Sequence, residues 1–156
     1  METAVTPWAI TTDKFILTKS LLDRMIYAMV VEKVEFESFL PESCPPKEAV
    51  PPNLVVIRLV RDEIVSKEDF VPYYSMVPGK DWGNRLCKAC GLSVYTDPAD
   101  VKRAMGVNPA LRTFRSAFGR LEPSSGAIQH TPRDGDSHHT WWKNKNVDAE
   151  RIFIIQ

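Results

Sequence analysis

The chain lacks long apolar segments and an excess of charge of either sign. Its 156 residues carry 20 basic and 20 acidic side chains. A neutral chain has no long-range field that would draw it to nucleic acid or to an anionic membrane surface. No apolar run approaches the ~20 residues of a transmembrane helix, and the first residues, METAVTPWAITTDK, lack the basic and apolar regions of a signal peptide. We therefore expect a soluble cytoplasmic protein, with neither a membrane nor nucleic acid as its partner.

Cysteine is also scarce, with only Cys44, Cys87 and Cys90. An odd number with one close pair is not typical of a secreted disulfide framework. Cys44 lies in a proline-rich loop, residues 41–52, where no local feature lowers the pKa of its thiol. We expect all three cysteines to be reduced, with no role for Cys44.

The spacing of Cys87 and Cys90 allows a second interpretation, because two sulfurs three residues apart can bind one metal ion. Residues 86–95, LCKACGLSVY, resemble the second knuckle of a GATA-type zinc finger. The first Cys-x-x-Cys pair of such a finger is absent, which argues against a DNA-binding finger. Zinc remains a candidate cofactor, with Cys87 and Cys90 as ligands and two of the three histidines completing the site.

The length and the apolar patterns predict one α+β domain over residues 1–156. Residues 53–61, NLVVIRLVR, have the β-branched, apolar run of a central strand. In the N-terminal region two apolar stripes recur at helical spacing, which predicts a long helix packed on one face of a mainly antiparallel sheet. The stripes consist of Phe15, Leu22, Ile26 and Met29, and of Leu17, Leu21, Met25 and Ala28.

Two short helices are predicted in the second half of the chain. Asp97 followed by Pro98 is a typical helix start, and it predicts a helix over 98–105. Asn108 followed by Pro109 predicts another over 109–118 by the same chemistry, with Leu111, Phe114 and Phe118 as its buried stripe. In that second helix Arg112 and Arg115 would lie three residues apart on the outer side.

The stretch from 126 to 142, GAIQHTPRDGDSHHTWW, holds all three histidines and two of the four tryptophans. It predicts a hairpin whose returning strand places His138 on one face and His139 on the other. Histidine beside hydroxyls and carboxylates can transfer protons near neutral pH. We therefore take His130, His138 and His139 as candidate catalytic residues, against the alternative of a polar hairpin whose histidines are satisfied locally.

Charge is divided unequally along the chain, since residues 1–70 carry 8 basic and 12 acidic side chains and residues 71–156 carry 12 and 8. A basic half favours an anionic partner. The second half also contains an aromatic loop, residues 70–84, of a kind that often lines pockets. The candidate ligand-binding residues are Arg58, Arg112, Arg115, Arg133, Trp141 and Trp142.

Two functions of different classes remain open. The first is a small interaction or ligand-binding domain, whose basic and aromatic second half binds a protein or an anionic small molecule. The second is an enzyme that uses one of the histidines as general acid or base on an anionic substrate, such as a nucleotide or a phosphoester. The sequence contains no nucleophile elbow, phosphate-binding glycine loop or His-Glu-x-x-His helix to name a reaction.

Overall fold

The computed structural model describes residues 20–26, 28–29, 34–134 and 136–156. Six strands form one sheet in the order β4-β5-β2-β1-β3-β6, and every neighbouring pair is antiparallel. The strands are β1 (Leu54–Val60), β2 (Leu92–Tyr95), β3 (Arg115–Leu121), β4 (Gly126–His130), β5 (His138–Lys143) and β6 (Phe153–Ile155).

Helices are short in the described residues. The α-helices are α1 (residues 20–26 and 28–29), α2 (Tyr73–Met76), α3 (Leu86–Ala89) and α4 (Pro98–Val107). Single 3-10 turns occur at Lys67–Phe70, Gly83–Arg85, Pro109–Leu111, Pro123–Ser125 and Ala149–Arg151. None of these described helices has the length and apolar character needed to cross a membrane.

The predicted central strand is confirmed as β1, which lies inside the sheet between β2 and β3. It pairs with β3 through seven residue pairs but with β2 through only one, Ile57 with Tyr95. Its β-branched residues suit this position because they pack well on a pleated surface that is covered on both sides. The ladder between β1 and β2 is therefore short, and the guanidinium of Arg58 in β1 donates to the main-chain oxygen of Ser93 in β2.

One face of the sheet carries the larger apolar core. Val56 and Val60 of β1 lie there with Trp141 of β5, and all three are fully buried. Phe70 and Ala149, from two of the 3-10 turns, cover this face. Among the described residues, short turns therefore cover the main core.

The other face is covered by α4, which begins as the sequence predicts. The side chain of Asp97 accepts a hydrogen bond from the backbone N–H of Ala99, at 2.8 Å, and Pro98 occupies the first turn. Val101 of α4 packs with Ile57 and Tyr95 of the sheet in a second buried cluster.

The prediction of a long N-terminal helix on the sheet is wrong. The described part of α1 is short, and its apolar side chains Leu21, Leu22, Met25, Ile26 and Met29 are between 51% and 61% exposed. The two sheet faces are covered by other elements, so these described residues have no place in the core. Phe15 and Leu17, which belonged to the predicted stripes, lie outside the described residues.

The prediction of a helix over residues 109–118 is also wrong. Only Pro109–Leu111 forms a helical turn, and the chain then enters β3 at Arg115. The cap itself is present, because Asn108 accepts from the backbone N–H of Ala110 at 3.1 Å. Seven pairs with β1 favour the strand over the helical spacing of Phe114 and Phe118, which shows tertiary pairing overriding a local pattern.

Candidate functional site

The predicted hairpin is confirmed, and it distributes the three histidines over two faces. β4 and β5 pair from Gly126 with Lys143 to His130 with His139. His130 and His139 stack on each other, with ring centroids 4.8 Å apart. His138 points to the opposite face, where its ring and that of Tyr95 form a T-shaped pair with centroids 5.3 Å apart. The structure therefore does not bring the three histidines together.

His138 lines a cavity of about 340 Å³ beside the hairpin. The basic side chains of this cavity come from three short segments: Arg85 precedes α3, Lys88 lies in it, and Arg133 lies in the β4–β5 loop. An adjoining cavity of about 280 Å³ has Arg58 and Arg61 in its lining. The two cavities share Tyr73, Ser93 and Arg133. We call them together the basic groove.

Arg58 is the most constrained cation of the groove. Its Nε and Nη2 donate to the main-chain oxygen of Asp69, at 3.1 and 2.9 Å, and its Nη1 donates to that of Ser93 at 2.7 Å. The side chain of Arg58 thus links β1 to β2 in addition to the single backbone pair of these strands, Ile57 with Tyr95. Burial lowers the pKa of Arg58 to about 10, and the nearby charges of Tyr73 and Asp69 offset only part of this. Arg58 is still protonated at neutral pH.

The carboxylate of Asp69 does not pair with Arg58. It accepts hydrogen bonds from the backbone N–H groups of Arg61 and Ser66, at 3.0 and 2.9 Å, and so fixes the turn after β1. Among the ion pairs of the described residues, none involves Arg58. In the part of the chain that the structure describes, five cations line the groove against two carboxylates, Glu68 and Asp69, so the charge of its described lining is positive.

The loop that carries Arg133 is held by Asp136. The Oδ1 atom of Asp136 accepts from the backbone N–H groups of Arg133 and His138, at 2.7 and 3.1 Å. At the other end of the loop, Ser137 Oγ accepts from the backbone of Thr96 and Asp97. These bonds fix the backbone of Arg133, whose side chain lines the same cavity as His138, and they leave the guanidinium of Arg133 unpaired among the described residues. Asp136 therefore has a structural role.

The tautomer of His138 follows from its neighbours. Its Nδ1 lies 2.9 Å from the main-chain oxygen of Thr131, which can only accept, so Nδ1 carries the proton. Burial lowers the pKa of His138 below the 6.5 of an ordinary histidine, so the ring is neutral at neutral pH. Its Nε2 then has a free lone pair, and this atom is buried without a hydrogen-bond partner. A neutral imidazole in this state can accept a hydrogen bond or a proton.

A pH titration of stability tests this protonation state. Because the folded protein holds the pKa of His138 down, the unfolded chain binds more protons once the pH falls below about 6.5, and the folded state loses stability there. We expect the free energy of unfolding, measured with urea from about pH 7 to about pH 5, to fall less steeply in His138→Asn than in the wild type. His139, whose pKa is also lowered by burial, supplies the remaining slope in the variant. Equal slopes in the two proteins would contradict a buried, neutral His138.

The other predicted ligand-binding residues lie elsewhere. Trp141 is fully buried in the main core and donates to the main-chain oxygen of Ser125 at 3.2 Å. Trp142 lines a separate, more apolar cavity and donates to the oxygen of Cys87 at 2.8 Å. Arg112 is exposed, and Arg115 pairs with Glu63 at 2.7 Å. Of the six predicted residues, only Arg58 and Arg133 line the basic groove.

The cysteines differ from the expectation of three reduced thiols, which is wrong for two of them. Cys44 and Cys87 form a disulfide across 43 residues of sequence, and Cys90 is free and buried. Spacing along the chain does not reveal such a pairing. Where it is bonded to Cys44, the sulfur of Cys87 is not a thiolate ligand. The described residues contain no cluster of three metal-binding side chains, so the zinc prediction gains no support.

Several residues of the groove were not predicted individually. Trp82 and Tyr73 come from the aromatic loop that the sequence marks as a possible pocket wall, whereas nothing in the sequence singles out Arg61, Arg85 or Lys88. Comparison of the chain with protein-family models, with curated proteins and with solved structures gives no match.

Proposed function

We propose that this protein is a ligand-binding domain and that a small anionic molecule binds in the basic groove. The observation that carries this proposal is Arg58, a partly buried arginine whose guanidinium donates to main-chain oxygens and to no carboxylate. Withdrawing a cation from water, even in part, is costly unless an opposite charge compensates it. The nearby charges of Tyr73 and Asp69 offset only part of this cost, and an anion in the groove would offset more of it.

The geometry of the arginine donors also favours a phosphate or a carboxylate as the bound group. Arginine offers planar, forked donors that match the oxygens of both groups. Arg58 uses three N–H groups on main-chain oxygens, and Arg133 uses none of its side-chain donors on the protein in the described structure. Arg133 lines both cavities and is the residue best placed to hold an anion at their junction.

The groove refines the prediction of a basic and aromatic binding surface in the second half of the chain. Arg133, Tyr73 and Trp82 do come from that half, but Arg58 and Arg61 come from the more acidic first half. The binding surface of the proposal is therefore built by both halves, around the short ladder between β1 and β2.

Calorimetric titration with a panel of anions tests the proposal. The panel contains inorganic phosphate, phosphomonoesters, nucleoside monophosphates and dicarboxylates. For any anion that binds, we expect Arg133→Gln to raise Kd by about 10- to 100-fold, since a hydrogen bond to a charged group contributes about 1.5–3 kcal/mol. Arg112→Gln is the matched control, because Arg112 is an exposed arginine that does not line the groove.

Two results would contradict the proposal. One is that no anion of the panel binds. The other is that Arg112→Gln weakens binding as much as Arg133→Gln does, which would indicate general surface attraction. In both variants we expect added salt to raise Kd moderately, because the cations that line the groove are partly exposed and salt screens their charge.

An enzymatic function is the second candidate, and among the three histidines His138 supports it best. It is the histidine that lines the groove, and it has the free Nε2 that a general base requires. His130 and His139 stack on the other face of the sheet. Turnover of a bound phosphoester, lost in His138→Asn while binding is retained, would establish this candidate.

The cytoplasmic location stays a prediction, and the disulfide does not favour it. Disulfides such as Cys44–Cys87 persist mainly in oxidising compartments. Mass spectrometry of the alkylated native protein would report whether the bond is present in the purified chain.

A further inference from the structure

Two buried polar atoms in the described residues lack a hydrogen-bond partner, and both belong to side chains of the same cavity. They are Nε2 of His138 and Nε1 of Trp82. Buried polar groups in folded proteins nearly always have a partner, so each exception requires an explanation. Their occurrence together in one basic cavity points to a ligand that satisfies both.

The two atoms require opposite chemistry. The indole Nε1 of Trp82 can only donate. Nε2 of His138 can only accept while the ring is neutral, because Nδ1 holds the proton against the oxygen of Thr131. A bare anion such as phosphate or sulfate offers acceptors for Trp82 and the cations. It has little to donate to His138, so a fuller match needs an N–H or O–H group as well.

An aromatic surface borders the same space. Tyr73 is 50% exposed and lines both cavities of the groove. A flat ring can stack on such a face, and stacking of this kind contributes to the binding of nucleic acid bases. The groove therefore combines positive charge, an aromatic face, one donor and one acceptor.

We infer that the ligand is a phosphorylated compound whose polar heterocycle presents an N–H group beside a carbonyl oxygen. The phosphate is held by the cations around Arg133, the N–H donates to Nε2 of His138, and the carbonyl accepts from Nε1 of Trp82. This inference rests on the proposed function, and it adds the class of ligand. Nucleoside monophosphates with a lactam or imide edge are the simplest members of that class.

Matched ligands separate the heterocycle from the phosphate. Uridine and inosine 5′-monophosphate carry the N–H group, whereas their N3-methyl and N1-methyl forms lack it and keep the carbonyl oxygens. Ribose 5-phosphate has no base. For at least one of the two parent nucleotides, we expect the wild-type Kd to be about tenfold lower than for its methylated form, because an unmatched buried polar group disfavours the analogue.

Two variants locate the effect on the protein. His138→Asn keeps a donor for the oxygen of Thr131 and removes Nε2, so the preference for the parent nucleotide should fall to about one. Trp82→Phe keeps an aromatic ring and removes Nε1, so it should weaken both forms of the nucleotide and spare ribose 5-phosphate. Thermal unfolding of each variant reports whether it is folded. If His138→Asn does not fold, Trp82→Phe still tests the inference.

The outcomes distinguish this inference from the proposed function. Equal affinity for parent and methylated nucleotides, or for inorganic phosphate and nucleotides, would overturn the inference and leave anion binding intact. The same would follow if dicarboxylates bound and none of the phosphate compounds did. Absence of binding by every anion would remove the proposed function and this inference together.

Discussion

Replacing Gly126 by alanine is expected to lower the free energy of unfolding by about 3 kcal/mol or more. Two costs add up in this variant: a strained backbone conformation and a steric clash of the new β-carbon. Gly126 has a φ of 137°, a conformation that side-chain-bearing residues rarely adopt. A β-carbon there would lie 2.1 Å from the main-chain oxygen of Trp142 and 2.9 Å from the nitrogen of Asn144. These backbone atoms belong to β5 and to the residue after it, and they cannot move without disturbing the hairpin.

Gly106→Ala is the matched control for this prediction. Gly106 lies in α4, and a β-carbon there would meet no heavy atom within 4 Å. Alanine is the better helix former, so we expect the free energy of unfolding to rise by about 0.5–1 kcal/mol. Urea denaturation of both variants measures the difference. If Gly126→Ala were as stable as the wild type, the described start of β4 would be incorrect.

Removing the indole of Trp141 is expected to have the other large effect. Trp141 is fully buried and packs against Phe70 and Phe153, with centroid separations of 6.5 and 6.0 Å. Truncation of such a side chain leaves a cavity, and Trp141→Ala should lower the free energy of unfolding by about 3–5 kcal/mol. The measurement is again urea denaturation at neutral pH.

His139→Ala is a suitable control because His139 is two residues earlier on the same face of β5 but only half-buried. We expect it to cost less than about 1 kcal/mol. The comparison also tests the sequence-based assignment of Trp141 to ligand binding. A stable Trp141→Ala variant that no longer binds anions would support that assignment and oppose a role in the core.

The elements that the sequence predicts well are those with local signals. β1 has an uninterrupted β-branched run, α4 has Asp97 and Pro98 at its start, and the hairpin has alternating faces and a turn between its strands. Alternation also separates His138 from His139 correctly. Each of these signals lies within one short segment of chain, of which the hairpin from Gly126 to Lys143 is the longest, so no tertiary information is needed.

The incorrect predictions depend on distant partners. The spacing of Leu111, Phe114 and Phe118 fits a helix, yet the segment from Arg115 to Leu121 forms β3 and pairs with β1. The stripes of the N-terminal helix likewise predict burial, but the pattern does not show what would cover them. Cys44 and Cys87 are 43 residues apart, and only the folded chain brings them together.

The candidate site is predictable only in part for the same reason. Sequence reasoning selects Arg58, Arg133 and His138 by their chemistry, and these three do line the groove. It also selects Trp141, because alternation identifies two faces and does not say which is the main core. Arg85 and Lys88 are ordinary surface residues in the sequence, and the approach of α3 to the hairpin gives them their place.

The strand order has a consequence for self-association. The two outermost strands, β4 and β6, contain five and three residues, and exposed strand edges are the usual templates for intermolecular pairing. The free side of β4 is partly occupied, since Val50 and Ile128 exchange two main-chain hydrogen bonds. The longest strands, β1 and β3, lie inside the sheet, where β1 pairs with β2 and β3, and β3 pairs with β1 and β6. The β-branched run of β1, a segment of the kind that promotes aggregation when it is exposed, is therefore shielded from neighbouring molecules while the sheet is intact.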